Sequence, residues 1–325
     1  MKSGRLVYLN GIFVPEHEAK ISIFDSALMF GDMVFEMTRS FNKEQFKLRE
    51  HLERLLLGAK ILHIPLTISI DELEDACYKT IAINDEVFEE HDEHRLMINI
   101  SRGPLGIYAP VFNNKLEPTI VIADFPLKWT VASMAPLYKN GINAVIPSQR
   151  AIPASLMDPK IKNRSRLFYQ MANIEVSKVK GENNWALLLD PDGFITEGTG
   201  DNFFIIKNGE IFTPEGRNIL RGISRDYIFE LANQLNMPCH ETNIEPYDVY
   251  SADEAFMTGT PFCILPTTSI NGIEIGSGKM GKFTNLLLAK WSKNVNLDIK
   301  AQIIDYGKEV SSYNKSSPSP YQFKN

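Results

Sequence analysis

Apolar and polar positions alternate over short stretches at several points of the chain and fall at helical spacing between them. Residues 5–14, RLVYLNGIFV, alternate around Asn10-Gly11, a dipeptide suited to a two-residue turn, and predict an opening β-hairpin. Phe30 to Phe41, FGDMVFEMTRSF, predicts a buried strand with Val34, Glu36 and Thr38 on one face and Phe35, Met37 and Arg39 on the other. A strand at Gln45–Leu48 leads into a helix from His51 to Ile61, where Leu52, Leu55, Leu56 and Ala59 share one stripe; Pro65 ends it. A second helix at Asp71–Asn84 and strands at Arg95–Ser101 and Thr119–Ala123 complete the first half.

Periodicity then fails over DFPLKWTVASMAP, Asp124 to Pro136, which prolines flank. This predicts a linker at 125–136 between a small domain, 1–124, and a larger one, 137–305. The second half predicts a strand at Ala144–Ile146, a helix at Ser165–Val179 and a run of hairpins from Trp185 to Thr213. Asp190-Pro191-Asp192-Gly193 and Lys207-Asn208-Gly209 mark the turns. Ser224 is a good N-cap for a helix over Asp226–Asn236. A strand at Glu254–Met257 and a helix at Gly281–Trp291 follow. Residues 306–325 are polar with Ser-Pro repeats and are expected to be loose. Strands mixed with helices in both halves give an α+β fold.

A length of 325 residues suits two domains sharing a cleft, and 44% hydrophobic with 23% charged residues is ordinary for a globular protein. The formal charge of -6 gives no basic face, so nucleic acid is not an expected partner. Apolar runs are short and interrupted, so no membrane span is expected, and MKSGRLVYLNG does not read as a signal peptide. Cys77, Cys239 and Cys263 are odd in number and far apart, which fits a reducing cytosol better than a disulfide scaffold. The six histidines form no cluster at metal-ligand spacing, so no metal site is expected.

Candidate chemistry gathers at two places. Between Trp185 and Ile228 a compact antiparallel sheet presents Glu197, and a glycine-led helix start follows Gly222. The free N–H groups of such a start form an anion seat, so acid and helix together suggest a phosphorylated cofactor. The segment LMDPKIKNRSRLFYQMANIEV carries Lys160 and Lys162 just before a helix. Either is an ordinary solvated lysine unless desolvation or nearby cations, such as Arg164 and Arg166, lower its pKa and free its amine for Schiff-base chemistry.

Seven motifs in order, YLNG, FGDMVFEMTR, LREHLERL, the lysine segment, TEGTGDNFF, LRGISRD and FMTGT, resemble the fold-type IV pyridoxal-phosphate enzymes, the class IV aminotransferases. That group includes branched-chain aminotransferases, D-amino-acid aminotransferases and aminodeoxychorismate lyase. The likeness runs from Leu6 to about Ile304. It implies a smaller N-terminal α/β sandwich and a larger β-barrel-like domain with helices. It also implies pyridoxal 5'-phosphate as cofactor, an amino donor and a 2-oxo acid as substrates, and a homodimer. Counting back from Glu175 in the family pattern selects Lys162 as the catalytic, cofactor-holding lysine. Glu197 matches the glutamate facing the pyridine nitrogen, where a carboxylate keeps that nitrogen protonated. Arg49 matches the arginine that grips the phosphate, Ile223 and Ser224 the helix start that binds it, and Thr260 a further phosphate contact.

On the substrate side, Phe30 and Phe35 match pocket positions and Arg95 matches an arginine that influences the substrate carboxylate. A transaminase of branched-chain type, with ping-pong kinetics, is the expectation. Alternatives are lyase-type elimination from aminodeoxychorismate and a D-amino-acid or (R)-amine transaminase on the same fold. The departures from the branched-chain pattern are Phe30 for a tyrosine, Met37 for a glycine, and Leu167 for a cofactor-contacting tyrosine.

Overall fold

The computed structural model describes residues 4–310. The chain divides into two compact units, one up to Leu127 together with Ile161–Arg166, the other Lys128–Lys160 and from Leu167 onward.

The first unit comprises β1 (Leu6–Leu9), β2 (Ile12–Pro15), α1 (Ser26–Phe30), β3 (Met33–Met37), β4 (Ser40–Phe41), β5 (Glu44–Gln45), α2 (Leu48–Ile61), α3 (Ile70–Asp85), β6 (His94–Ser101) and β7 (Thr119–Pro126). Its main sheet is antiparallel in the order β2-β1-β7-β6-β3. Val34, Ile98 and Ile122 on one face pack with Leu52, Leu55 and Leu73 of α2 and α3 to form the core. The strand expected from Phe30 starts only at Met33, because Asp25 accepts a hydrogen bond from Ala27 N and nucleates α1. Gly31, left-handed at φ 65°, ends that helix. Residues 162–164 lie against β3: Phe35 N donates to Lys162 O (3.0 Å) and Arg164 N to Met33 O (3.3 Å), with Val34 bridged to Asn163. Ile161 reaches the same core.

The second unit comprises α4 (Lys128–Val131), α5 (Leu137–Asn140), β8 (Ile142–Val145), α6 (Leu167–Val176), β9 (Asn184–Leu189), β10 (Ile195–Gly198), β11 (Asn202–Lys207), β12 (Glu210–Pro214), α7 (Ile223–Gln234), β13 (Cys239–Thr242), α8 (Pro246–Tyr250), β14 (Glu254–Gly259), β15 (Cys263–Ile270), β16 (Ile273–Glu274), α9 (Lys282–Asn294) and α10 (Ile299–Val310). Its sheet runs β10-β9-β8-β15-β14-β11-β12-β13, and β10 also pairs with β11. That extra pairing closes β10, β9, β8, β15, β14 and β11 into a barrel-like ring, with β12 and β13 outside it. The closing register is one residue pair, Glu197 opposite Asn202. In the pairing of β10 with β9 a register shift between Ile195 and Gly198 spans Glu197, and such bulges re-aim side chains at barrel rims.

Residues 306–310, expected in the loose tail, instead complete α10. Tyr306 is buried and Glu309 accepts from Lys128 Nζ (2.5 Å). The rest of that tail lies outside the described residues. Among the described residues no helix is long and apolar enough to cross a membrane.

Candidate active site

In the second unit, Glu197 is 5% exposed at the seam of the ring. Its Oε2 accepts from Asn202 Nδ2 (3.0 Å) and from Leu220 N (2.9 Å), and its Oε1 accepts from the Tyr169 hydroxyl (2.6 Å). Three donors favour the ionised carboxylate. Asn202 Nδ2 also donates to Leu220 O (2.9 Å), tying the approach to α7 onto β11. Gly222, not Ser224, is the N-cap of α7. A Cβ there would overlap Asn202 Oδ1, so the close approach excludes larger residues. Ile223 and Ser224 open the helix, whose first amides have no intrahelical acceptor.

Thr258 lies opposite Asn202 in the β11–β14 register, so the two side chains share one sheet face. Its hydroxyl is buried with no hydrogen-bond partner, and a buried hydroxyl of this kind is rare without a ligand or water. Thr260, two residues on in the β14–β15 turn, is partly buried. A helix start, a glycine-lined approach, an orphaned hydroxyl and a fixed carboxylate fit a phosphorylated cofactor with a basic ring nitrogen.

In the first unit, Lys162 shares a sheet face with Phe35. The Lys162 Nζ lies 4.9 Å from the Phe35 ring centroid, and the guanidinium carbons of Arg164 and Arg166 lie at 3.6 and 5.6 Å. Arg164 Nη2 also donates to Asn99 Oδ1 (3.0 Å). Phe35 is buried at 4%, so this cationic group stands over a fixed ring. Lys162, Arg164 and Arg166 thus gather around one ring. Lys160 belongs to the other unit, where its Nζ pairs with Asp158 (2.8 Å).

On the opposite face of β3, Glu36 is fully buried. Arg54 Nε and Nη2 donate to its two oxygens (2.6 and 2.8 Å), and His51 Nδ1 lies 2.7 Å from Oε2. Burial alone would raise the Glu36 carboxyl, but Arg54 and His51 together hold it well below the usual range. Burial lowers His51, and Glu36 only partly opposes this. Arg54 and, less strongly, Lys162 add to the lowering.

Arg49 is not brought to the Lys162 segment. It is 42% exposed and bonds Asp71 (2.5 Å) and Glu74 (2.9 Å) of α3. Five residues separate it from Arg54, which at 100° per residue puts the two on different sides of α2. Arg54 is the guanidinium on the face that meets β3, a role legible only from the i, i+3 pairing of His51 with Arg54. Arg95 shares the Phe35 face, is buried at 7%, and directs Nη2 to Met37 Sδ (3.6 Å). Phe30 ends α1 and is 65% exposed. Tyr169 lies in the lysine segment and Asn202 in TEGTGDNFF, yet sequence reasoning assigned neither a role.

The amino-transferase class IV family matches residues 33–270. A putative branched-chain-amino-acid aminotransferase of Methanocaldococcus jannaschii is 36% identical over 288 residues, covering 88% of this chain and 94% of that protein. The branched-chain-amino-acid aminotransferase of Escherichia coli K12 is 32% identical over 289 residues, covering 87% and 90%. In three dimensions, Escherichia coli branched-chain amino acid aminotransferase superposes with a TM-score of 0.78 at 30% identity, over 87% of this chain and 92% of that one. The branched-chain aminotransferase of the thermophilic archaeon Thermoproteus uzoniensis, solved with norvaline, gives 0.76 at 28% identity, over 93% and 97%. With the ring closed at Glu197 and a match across most of its length, the chain belongs to the class IV aminotransferase family.

Proposed function

We propose that the protein is a pyridoxal-phosphate transaminase that moves an amino group from an amino acid of branched-chain type to a 2-oxo acid such as 2-oxoglutarate. The observation that carries this is Glu197, a buried carboxylate held by three donors beside a helix start, in a chain of this family. When bound, pyridoxal phosphate supplies a ring that takes up the electron pair released at the substrate Cα. Lys162 Nζ removes the Cα proton as a general base and returns it as a general acid. Glu197 holds a proton at the ring nitrogen. The first amides of α7 and the hydroxyls of Thr258 and Thr260 bind the phosphate. In the first unit Arg54, rather than Arg49, is the guanidinium suited to that anion. Phe35 and Arg95 line the substrate side.

The protein is also proposed to work as a homodimer in the cytosol. Ile23, Leu28, Phe30, Ile107 and Val111 are each at least 60% exposed within the first unit. Phe24 joins their two segments by packing on Tyr108 and Phe112. So large an apolar patch suits a second copy of the chain. The three cysteines are free, as suits a compartment where thiols stay reduced.

The test is the visible spectrum of the protein with pyridoxal phosphate, before and after a panel of L- and D-amino acids. A band that bleaches with branched-chain L-donors is expected, and bleaching by D-donors or amines alone would give the alternative substrate class. Pyruvate released from aminodeoxychorismate, with no 2-oxo acid consumed, would mark a lyase. Lys162→Ala should lose both band and turnover, whereas Lys160→Ala should keep them. A yellow, active Lys162→Ala protein would overturn the assignment.

A further inference from the structure

The Tyr169 hydroxyl donates to Glu197 Oε1 at 2.6 Å, and one helical turn later Asn173 Oδ1 accepts from the Thr199 hydroxyl at 3.2 Å. Helix α6 thus meets both the end of β10, at Glu197, and the bend that follows it, at Thr199. Helix α6 is itself fixed, because Ala172 and Val176 pack with Val145, Ala186 and Leu188, and the rings of Phe168 and Tyr169 lie on that cluster. The contact falls where β10 needs support. Its regular pairing with β9 is interrupted by the register shift, and its pairing with β11 is a single residue pair.

We propose that Tyr169 is a positioning residue for Glu197: its phenol fixes the carboxylate from the helix side, opposite the anchoring supplied by Asn202 and the Leu220 amide. This rests on the reading of Glu197 as the partner of the cofactor's ring nitrogen. A carboxylate turned about its Cγ–Cδ bond presents a different lone pair, so a hydrogen bond to one named oxygen sets the direction in which the other contact forms. Asn202 and Leu220 both hold Oε2, and Tyr169 holds Oε1. Phenylalanine at 169 keeps the ring packing and removes only the donor.

The experiment is a double-mutant cycle on the affinity for pyridoxal phosphate, using wild type, Tyr169→Phe, Glu197→Gln and the double variant. Tyr169→Phe should weaken binding roughly ten-fold, as expected for one hydrogen bond to a charged group. It should have little effect in the Glu197→Gln background, because bonded partners are not additive. A second readout needs no cofactor. The tyrosinate absorbance of Tyr169, taken as wild type minus Tyr169→Phe in the apoprotein, should appear at lower pH in Glu197→Gln, where the phenol no longer faces an anion. Asn173→Ala, which leaves the phenol bond in place, should change the apoprotein titration little. An equal loss from Tyr169→Phe in both backgrounds, with an unmoved titration, would overturn the proposal. Normal binding and turnover by Glu197→Gln would instead overturn the reading of Glu197.

Discussion

Glu36 offers the most demanding test of how the first unit is built. Its carboxylate has no solvent contact, and Glu36→Ala would leave Arg54 and His51 facing the space it filled. Breaking a buried ion pair by removing one partner typically costs about 3–5 kcal/mol. Arg54 is 13% exposed and can recover part of its hydration, which places the expected loss near the lower end, about 3 kcal/mol. For a unit of this size that lowers the melting temperature by roughly 10 °C. Glu36→Gln keeps the shape and one acceptor, so its loss should be about half as large. Glu36→Gln combined with Arg54→Met removes the stranded charge and should be more stable than Glu36→Ala.

Urea unfolding followed by far-UV circular dichroism is the assay, with tryptophan fluorescence in parallel. Trp129, Trp185 and Trp291 all belong to the second unit, so a loss specific to the first is larger by dichroism. The pH dependence follows from the direction of the shifts. Glu36 is held below its ordinary value of 4.5, so its contribution is present above that pH and is lost as the solution is acidified through the folded value. His51 is held below 6.5, so the folded protein binds fewer protons than the unfolded chain, and its contribution fades as pH falls below that value. The wild-type advantage over Glu36→Ala should therefore be full at pH 8. A loss below 1 kcal/mol there would refute the account of a buried, charge-bearing triad.

His94 has the opposite sign. Burial alone would lower it, but Asp124 (2.8 Å) and Asp85 (3.0 Å) hold it above 6.5. Its stabilisation is thus fully present below that pH and lost as pH rises through the folded value, and the stability gap to His94→Gln should shrink between pH 5.5 and 9. A gap that widened would contradict the ion-paired histidine. Arg49→Ala should leave affinity for pyridoxal phosphate unchanged, while Arg54→Ala should weaken it at least ten-fold by equilibrium dialysis. The reverse ranking would restore Arg49 to the site. Gly222→Ala forces Asn202 off its bonds to Glu197 and Leu220. It should cost about 1–3 kcal/mol in stability and reduce turnover more than ten-fold, and a normal rate would show that Asn202 does not hold the site.

Where a local signal decided the structure, it was legible. Asn10-Gly11 and Asn208-Gly209 adopt left-handed conformations and turn their hairpins as their chemistry dictates. The leucine stripe of α2 set that helix, whereas the capping box that starts α3, Ser69 with Glu72, went unread. Phe30 shows the limit: the apolar run from it reads as a strand, yet the Asp25 cap and the left-handed Gly31 take its first residue into a helix. Strand β15 escapes a sequence reading because Pro266 sits inside it, and β13 because its side chains are mostly exposed. Strand β13 pairs in parallel with β12, some way back in the chain, and β15 pairs with the remote β8 as well as with its hairpin partner β14.

Arg49 and Arg54 show why motif position and side-chain direction are separate problems. Both sit in LREHLERL, and a linear match treats them alike. The helix turns one toward the carboxylates of α3 and the other toward Glu36. What distinguishes them is the strand that α2 covers, since only a face apposed to β3 can meet a carboxylate in its buried row. The same logic governs Lys162 and Glu197. Lys162 is held by main-chain bonds to β3, and Glu197 by the single register pair that closes the ring. Neither long side chain is left to find its own direction, because backbone pairing sets it first. Disrupting those pairings should therefore do more harm than changing side chains around them. A proline at 35, which removes the amide that donates to Lys162 O, should cost more activity than Phe35→Leu, which keeps that amide and changes only the ring.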